Sequence, residues 1–123
     1  MKVLLSIKPE FVKKLFSGEK RYEYRKAIFK REVESIIVYS TKPEGMIVGE
    51  LFIENIINDT PESIWCETKT QSGISHDYFQ SYFGDRSEGY AIKISKVIAY
   101  EEPYDPVQRD SNFKAPQSFC YVN

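Results

Sequence analysis

Between Met46 and Ile57 runs a twelve-residue stretch, Met-Ile-Val-Gly-Glu-Leu-Phe-Ile-Glu-Asn-Ile-Ile, that is mostly apolar. It is longer than the usual strand of about 5–6 residues. We expect such a strand to bend, and Gly49 marks the bulge or bend where the sheet curls. Val33 to Tyr39 is a β-branched run and reads as a strand, and Tyr90, Ile92, Ile94 and Ile98 alternate with small or polar residues in a last long strand. Strands this curved and this far apart favour a small barrel over a flat open sheet. At 123 residues the chain suits one domain with one core.

Elsewhere the punctuation is local. Val3, Leu5 and Ile7 alternate with Leu4, Ser6 and Lys8, as in a strand buried on one face. Pro9 fits the first turn of a helix whose stripe is Phe11, Val12, Leu15 and Phe16, and Gly18 closes it. Thr60-Pro61 starts a second helix through Ile64 and Trp65, and Ser75 caps a third bearing Tyr78, Phe79, Tyr82 and Phe83, ended by Gly84. The aromatic set of the third helix reads as packing, Trp65 as core, and His76 as an exposed first-turn residue. Residues 101–123 contain Pro103, Pro106 and Pro116, yet Phe113, Phe119, Cys120 and Tyr121 are too apolar for a free tail. A short strand or arm at about 117–122 is expected to dock on the body. The layout is α+β, with about five or six strands, one helix after the first strand, and a short helical pair before the last long strand.

Net charge is −1, from 17 Lys+Arg against 18 Asp+Glu, but the total conceals a split. Residues 1–31 hold ten basic and three acidic side chains, or +7, and the remainder carries −8. Such asymmetry points to a polyanion partner if the basic groups converge in space. No stretch approaches the roughly 18–20 apolar residues of a membrane helix, and the start is too short in apolar residues for a signal peptide. Cys66 and Cys120 form no CxxC pair and His76 is the only histidine, so no metal site is expected. A disulfide between the two cysteines stays open, and the expected location is the cytoplasm. There is no G-x-x-x-x-G-K-[ST] loop and no G-x-G-x-x-G, so no cofactor is implied.

The most informative segment is Gly18-Glu19-Lys20-Arg21-Tyr22-Glu23-Tyr24-Arg25. As a strand, it puts Lys20, Tyr22, Tyr24 and Lys26 on one face and Arg21, Glu23 and Arg25 on the other, and neither face is aliphatic. Its pattern G-x-K-x-x-E-x-R follows Ser6-Ile7-Lys8-Pro9. It precedes Val38-Tyr39-Ser40-Thr41, Ile47-Val48-Gly49-Glu50, a helical insert and Gly89-Tyr90-Ala91-Ile92. In this order the chain resembles the ASCH domain of the PUA-like superfamily, over roughly residues 3–100, with 101–123 as an extension docked on the same domain.

The resemblance implies a small curved β-barrel with a cleft between barrel and helices that binds RNA or nucleotides. The residues are compatible with that. Lys20 and Arg25 offer phosphate contacts, the one a point charge and the other a bidentate fork. Tyr22 and Tyr24 offer stacking surfaces, worth about 1–3 kcal/mol per base in single-strand binders. Lys8, Ser40 and Thr41 lie around this centre if the strand ends open into one cleft. Glu23 accepts hydrogen bonds from base amino groups but repels phosphate, which favours a base or nucleoside-like ligand over backbone tracking. The alternative for the same segment is an ion-paired strand, Glu23 with Arg21 or Arg25.

Some small members of the family resemble amidohydrolases of acylated cytidine that use a Lys, a Thr three residues later and a downstream Glu. Here the Lys is Lys20, but the Thr position is Glu23, and the downstream acid falls near Gln71, with Glu67 and Asp77 as neighbours. Losing the hydroxyl removes the covalent step. If the chain is an enzyme, acting on RNA or a modified nucleoside, Lys20, Glu23 and Arg25 are its candidate catalytic groups. A third reading is a protein-interaction domain with a vestigial cleft.

Overall fold

The computed structural model describes residues 1–122, so Asn123, the last residue of the expected extension, lies outside the described residues. In chain order the elements are β1 (Lys2–Ile7), α1 (Pro9–Ser17), β2 (Tyr22–Arg25), β3 (Ser35–Ser40), β4 (Met46–Asp59), α2 (Pro61–Thr68), α3 (His76–Phe83), β5 (Gly89–Tyr104), α4 (Pro106–Arg109) and β6 (Phe119–Val122). A 3-10 turn, Lys69–Gln71, follows α2. No described helix is long and apolar enough to cross a membrane.

The helix boundaries follow from local chemistry. Pro9 sits in the first turn of α1, and Gly18 ends that helix at φ +87°, a conformation only glycine takes without strain. The Thr60 and Ser75 hydroxyls accept the N–H groups of Ser63 and Tyr78, capping α2 and α3. The short α4 was not expected from the sequence, and β5 runs on to Tyr104 rather than ending near Ile98.

The six strands form one mixed sheet in the order β2-β5-β4-β3-β1-β6. All pairs are antiparallel except β1 with β3. The α+β layout and strand number are as expected, and the sheet curls, but its backbone ladder stays open. The barrel therefore does not close: β2 and β6 are edges. Curvature comes from β4, whose register against β5 shifts between Ile47 and Gly49 and again around Ile53. Gly49 is required there, because a Cβ would run into the Ile98 carbonyl and the Phe16 ring.

Alternation sorts the side chains into three clusters. Val3, Leu5, Ile7, Ile36, Val38, Val48, Leu51, Ile92 and Ile94 fill the concave side together with Val12 and Leu15 of α1. Tyr22, Tyr24 and Ala91 pack outward against Ile64, Phe79 and Phe83 of α2 and α3. Leu4, Tyr39 and Ile47 are covered by Tyr100, Tyr104, Phe113 and Val122. The C-terminal segment thus supplies apolar cover for the outer face, and β6 adds a strand to the edge of β1. That strand pairs only with Lys2–Leu5, so the edge of β1 beyond Leu5 is left free.

Candidate functional site

The free end of β1 and the free edge of β2 border one cavity. Its lining is Ser6, Ile7 and Lys8 from the first strand and the residue after it, Phe11 of α1, Lys20, Glu23, Tyr24 and Arg25 from the segment around β2, and Ile74, Tyr78 and Tyr82 from α3 and its approach. The cavity measures about 150 Å³. A drug-sized ligand pocket is roughly 300–1,000 Å³, so this one takes a single ring system or a small anion, not a whole oligomer.

Lys20 is the most unusual member. It is only 2% exposed, and its Nζ donates to the Ser72 carbonyl at 2.9 Å. The ammonium lies 4.6 Å from the Tyr24 ring centroid and 5.4 Å from that of Phe11. Gly73, at φ +67°, passes so close that a Cβ there would lie 2.8 Å from Lys20 Cγ. Lys14 Nζ reinforces the same turn by donating to the Gly73 carbonyl at 2.9 Å. This cover strips water from Lys20. Burial lowers its pKa from 10.5 to about 8, although the Glu23 carboxylate pulls the other way.

Glu23 pairs in register with Ile92 and so points to the concave side, where the other strands carry aliphatics. It is 5% exposed and accepts from Arg25 Nη1 at 3.1 Å, the structural pairing anticipated for this strand. Arg25 Nη2 also donates to the Ser118 carbonyl at 2.7 Å, and Ser6 Oγ donates to the Pro116 carbonyl at 2.8 Å. The segment before β6 therefore crosses the seam between the two open edges and touches both sides of the cavity.

Aromatic rings form the walls. Tyr24 sends its hydroxyl to Thr68 Oγ1 at 2.7 Å and packs edge-on against Phe79. Burial pushes its pKa up to about 12, so its hydroxyl stays protonated. Phe11 and Tyr78 meet edge-to-face at 5.2 Å. Burial likewise raises the pKa of Tyr82. Lys8 is exposed at the mouth, with its Nζ 3.1 Å from the Tyr78 hydroxyl.

Of the residues singled out from sequence, Lys8, Lys20, Glu23, Arg25 and Tyr24 line this cavity; Tyr22, Ser40 and Thr41 do not. Tyr22 faces α2 and α3, on the outer side of β2, and is buried in their cluster. Ser40 ends β3 and Thr41 follows it, and β1 stands between that strand and the cavity. Ser40 is fully buried, its Oγ without a hydrogen-bond partner among the described residues. Sequence reasoning missed Phe11, Tyr78 and Tyr82, and took the last two as packing. The signal was present in α3: its buried phenylalanines, Phe79 and Phe83, each follow a tyrosine whose hydroxyl needs a wetter face. His76 is exposed as expected, stacked on half-buried Trp65 at 4.8 Å, away from the cavity. Cys66 and Cys120 are free and exposed. Among the described residues, no group of three or more His, Cys, Asp or Glu side chains is arranged to hold a metal.

Comparison with known proteins adds four findings. The family model of the ASCH domain matches residues 5–111. The chain is 25% identical over 126 residues to an ASCH domain-containing ribonuclease of Zymomonas mobilis, covering 97% of this chain and 82% of that protein. It is also 30% identical over 121 residues to a protein named ATP synthase subunit alpha in Ureaplasma parvum, but spans only 15% of that protein's length. In fold, the crystal structure of ASCH from Zymomonas mobilis superposes with a TM-score of 0.91 at 23% identity, covering 99% of this chain and 87% of that one.

Proposed function

This chain belongs to the ASCH domain family, and from that footing we propose that it binds RNA by holding one base or nucleoside-like group in the cleft beside β2. The observation that carries the reading is the combination of aromatic walls, Phe11, Tyr24, Tyr78 and Tyr82, with a Lys20–Glu23–Arg25 centre in a space sized for one ring system. Stacking supplies sequence-tolerant affinity, about 1–3 kcal/mol per base. The polar centre supplies selectivity: Lys20 and Arg25 donate, and Glu23 accepts from an exocyclic amino group. Residues 101–123 act in this reading as an arm of the same domain, and the two free cysteines fit a reducing, cytoplasmic setting.

The test is direct binding. Lys20→Ala and Arg25→Ala should each weaken an RNA oligomer in fluorescence anisotropy by roughly tenfold or more, the scale of a lost charged hydrogen bond. Unchanged binding curves for both variants would remove the cleft from consideration.

A second reading, RNA cleavage in the same cleft, is favoured by one specific feature. A lysine with a pKa of about 8 is partly neutral near neutral pH and can exchange a proton with a reacting hydroxyl, whereas an ordinary lysine is almost wholly charged. The Zymomonas mobilis relative named a ribonuclease supports the same direction. Labelled RNA incubated with the protein should then shorten, and Lys20→Arg should stop it, since arginine keeps the charge but cannot lose a proton. Intact RNA after prolonged incubation with the unmodified protein would leave binding alone. The acylcytidine amidohydrolase is not proposed, because Glu23 stands where that chemistry places its hydroxyl nucleophile.

A further inference from the structure

Lys8 and Lys26 have no part in the polar centre, yet Lys8 lines the cavity and Lys26 packs over the ring of Tyr82, one of its walls. Each is exposed, and neither forms an ion pair among the described residues. By contrast Lys2, Lys14 and Lys93 hold carboxylates at 3.0–3.7 Å. Lys8 Nζ lies 5.3 Å from the ring centroid of Tyr78, and Lys26 Nζ lies 4.7 Å from that of Tyr82. Both rings line the cavity. Tyr78 and Tyr82 are four residues apart on α3, one turn or about 6 Å along the axis. The two ammonium groups reach them from different elements, Lys8 from the junction of β1 and α1 and Lys26 from the residue after β2.

Lys8 also donates to the Tyr78 hydroxyl at 3.1 Å, but neither lysine is held by a carboxylate, so both ammonium groups are left to meet an incoming anion. Cation–π attraction favours a position beside the ring by about 0.5–1 kcal/mol on an exposed site. The cavity below is too small for a nucleotide with its phosphates, so phosphates attached to a base held there must lie at the rim. A pair of point charges suits a flexible backbone better than a rigid fork would.

We infer that Lys8 and Lys26 form a two-point phosphate track across the cleft mouth, which makes single-stranded RNA the ligand in preference to a free nucleoside. This rests on the reading that the cleft holds a base. The base enters between Tyr78 and Tyr82, and the phosphates on either side of it meet Lys8 and Lys26. Lys20, Glu23 and Arg25 recognise the base; the two rim lysines select for its being part of a strand.

The experiment compares the unmodified protein with Lys8→Gln/Lys26→Gln, using a labelled single-stranded RNA hexamer and the four free nucleosides. Anisotropy titrations over a range of salt give the slope of log affinity against log salt. Each phosphate contact on a single strand contributes about 0.7 to that slope, so the double variant should lose about 1.4. Its hexamer affinity should fall at least tenfold at low salt, and by far more than its nucleoside binding, read by thermal shift. An unchanged slope, or equal loss of nucleoside and hexamer binding, would overturn the phosphate track. If the unmodified protein binds nucleosides but holds the hexamer no more tightly, the track fails and the cleft reading survives. If it binds neither, both fail.

Discussion

Two buried carboxylates stand on this sheet, and they are compensated in different ways. Glu50, 7% exposed, lies in the middle of β4 and faces Ser35 Oγ at 2.5 Å and Lys2 Nζ at 3.0 Å. Burial alone would raise its pKa, but the Ser35 and Lys2 hydrogen bonds outweigh that and hold the carboxyl below its ordinary value. Its partners come from the neighbouring strand β3 and from β1 beyond it, and it lines no described cavity. Glu23, equally buried, has one guanidinium nitrogen at 3.1 Å and opens on a cavity whose buried lysine, Lys20, is bonded to a backbone carbonyl. A lone carbonyl does not neutralise an ammonium, so Lys20 is buried at a cost that Glu50 avoids. Completed charge pairs are architecture; an under-compensated charge beside a cavity is where a ligand can finish the set.

The largest expected effect tests that contrast at Lys20. The pKa of Lys20 is about 8 in the folded chain against 10.5 ordinarily, so the cost of burying its charge is fully present below pH 8. That cost is relieved as pH rises from about 8 to 10.5. Relative to Lys20→Met, the unmodified protein should therefore gain on the order of 3 kcal/mol in urea denaturation across this window. Below pH 8, Lys20→Met should be no less stable than the unmodified protein while losing RNA affinity. A variant that is destabilised and still binds would invert the argument. Binding that relies on the Lys20 charge should also weaken as pH passes about 8, and Lys20→Arg should flatten that profile.

Next in size is the cover over the cleft. Gly73→Ala forces a side chain into the left-handed region and against Lys20, and should cost about 1–2 kcal/mol and disturb ligand binding together. Glu50→Gln should cost about 1–2 kcal/mol but leave RNA affinity alone, separating the two carboxylates cleanly. Since its carboxyl is held below the ordinary value, Glu50 contributes stability that is present above the usual carboxylate range and lost on acidification. The unmodified protein should lose its advantage over Glu50→Gln as pH falls into that range, which acid-unfolding curves measure. The smallest effect belongs to the exposed Lys93–Glu54 pair, where Glu54→Gln should shift neither melting temperature nor binding measurably.

What could be read in advance divides along physical lines. Pro9, Gly18, Thr60 and Ser75 act within one helical turn, so the starts of three helices and the end of the first were visible in the chain. The Glu23–Arg25 pair was also legible, because residues two apart on a strand share a face. Tyr78 and Tyr82 read as packing from the sequence because helical spacing distinguishes one face from another but not what each face meets. Ser40 and Thr41 reach the cleft only if the strand ends open into one space, and the strand order puts β1 in the way. The carbonyl of Ser72, which holds Lys20, is a backbone group with no sequence signature at all.

The chain by itself determined that a long strand must bend at Gly49, that the segment around Lys20 has nothing aliphatic to bury, and that the basic residues crowd toward one end. It also carried the family pattern. Only the tertiary structure decided that the curled sheet stops short of closing, leaving the ends of β1 and β2 to frame a cavity. It alone decided which lysine lost its water, because the turn that covers Lys20 lies 52 residues further along. Helix caps and strand faces depend on near neighbours; desolvation depends on whatever the fold brings alongside.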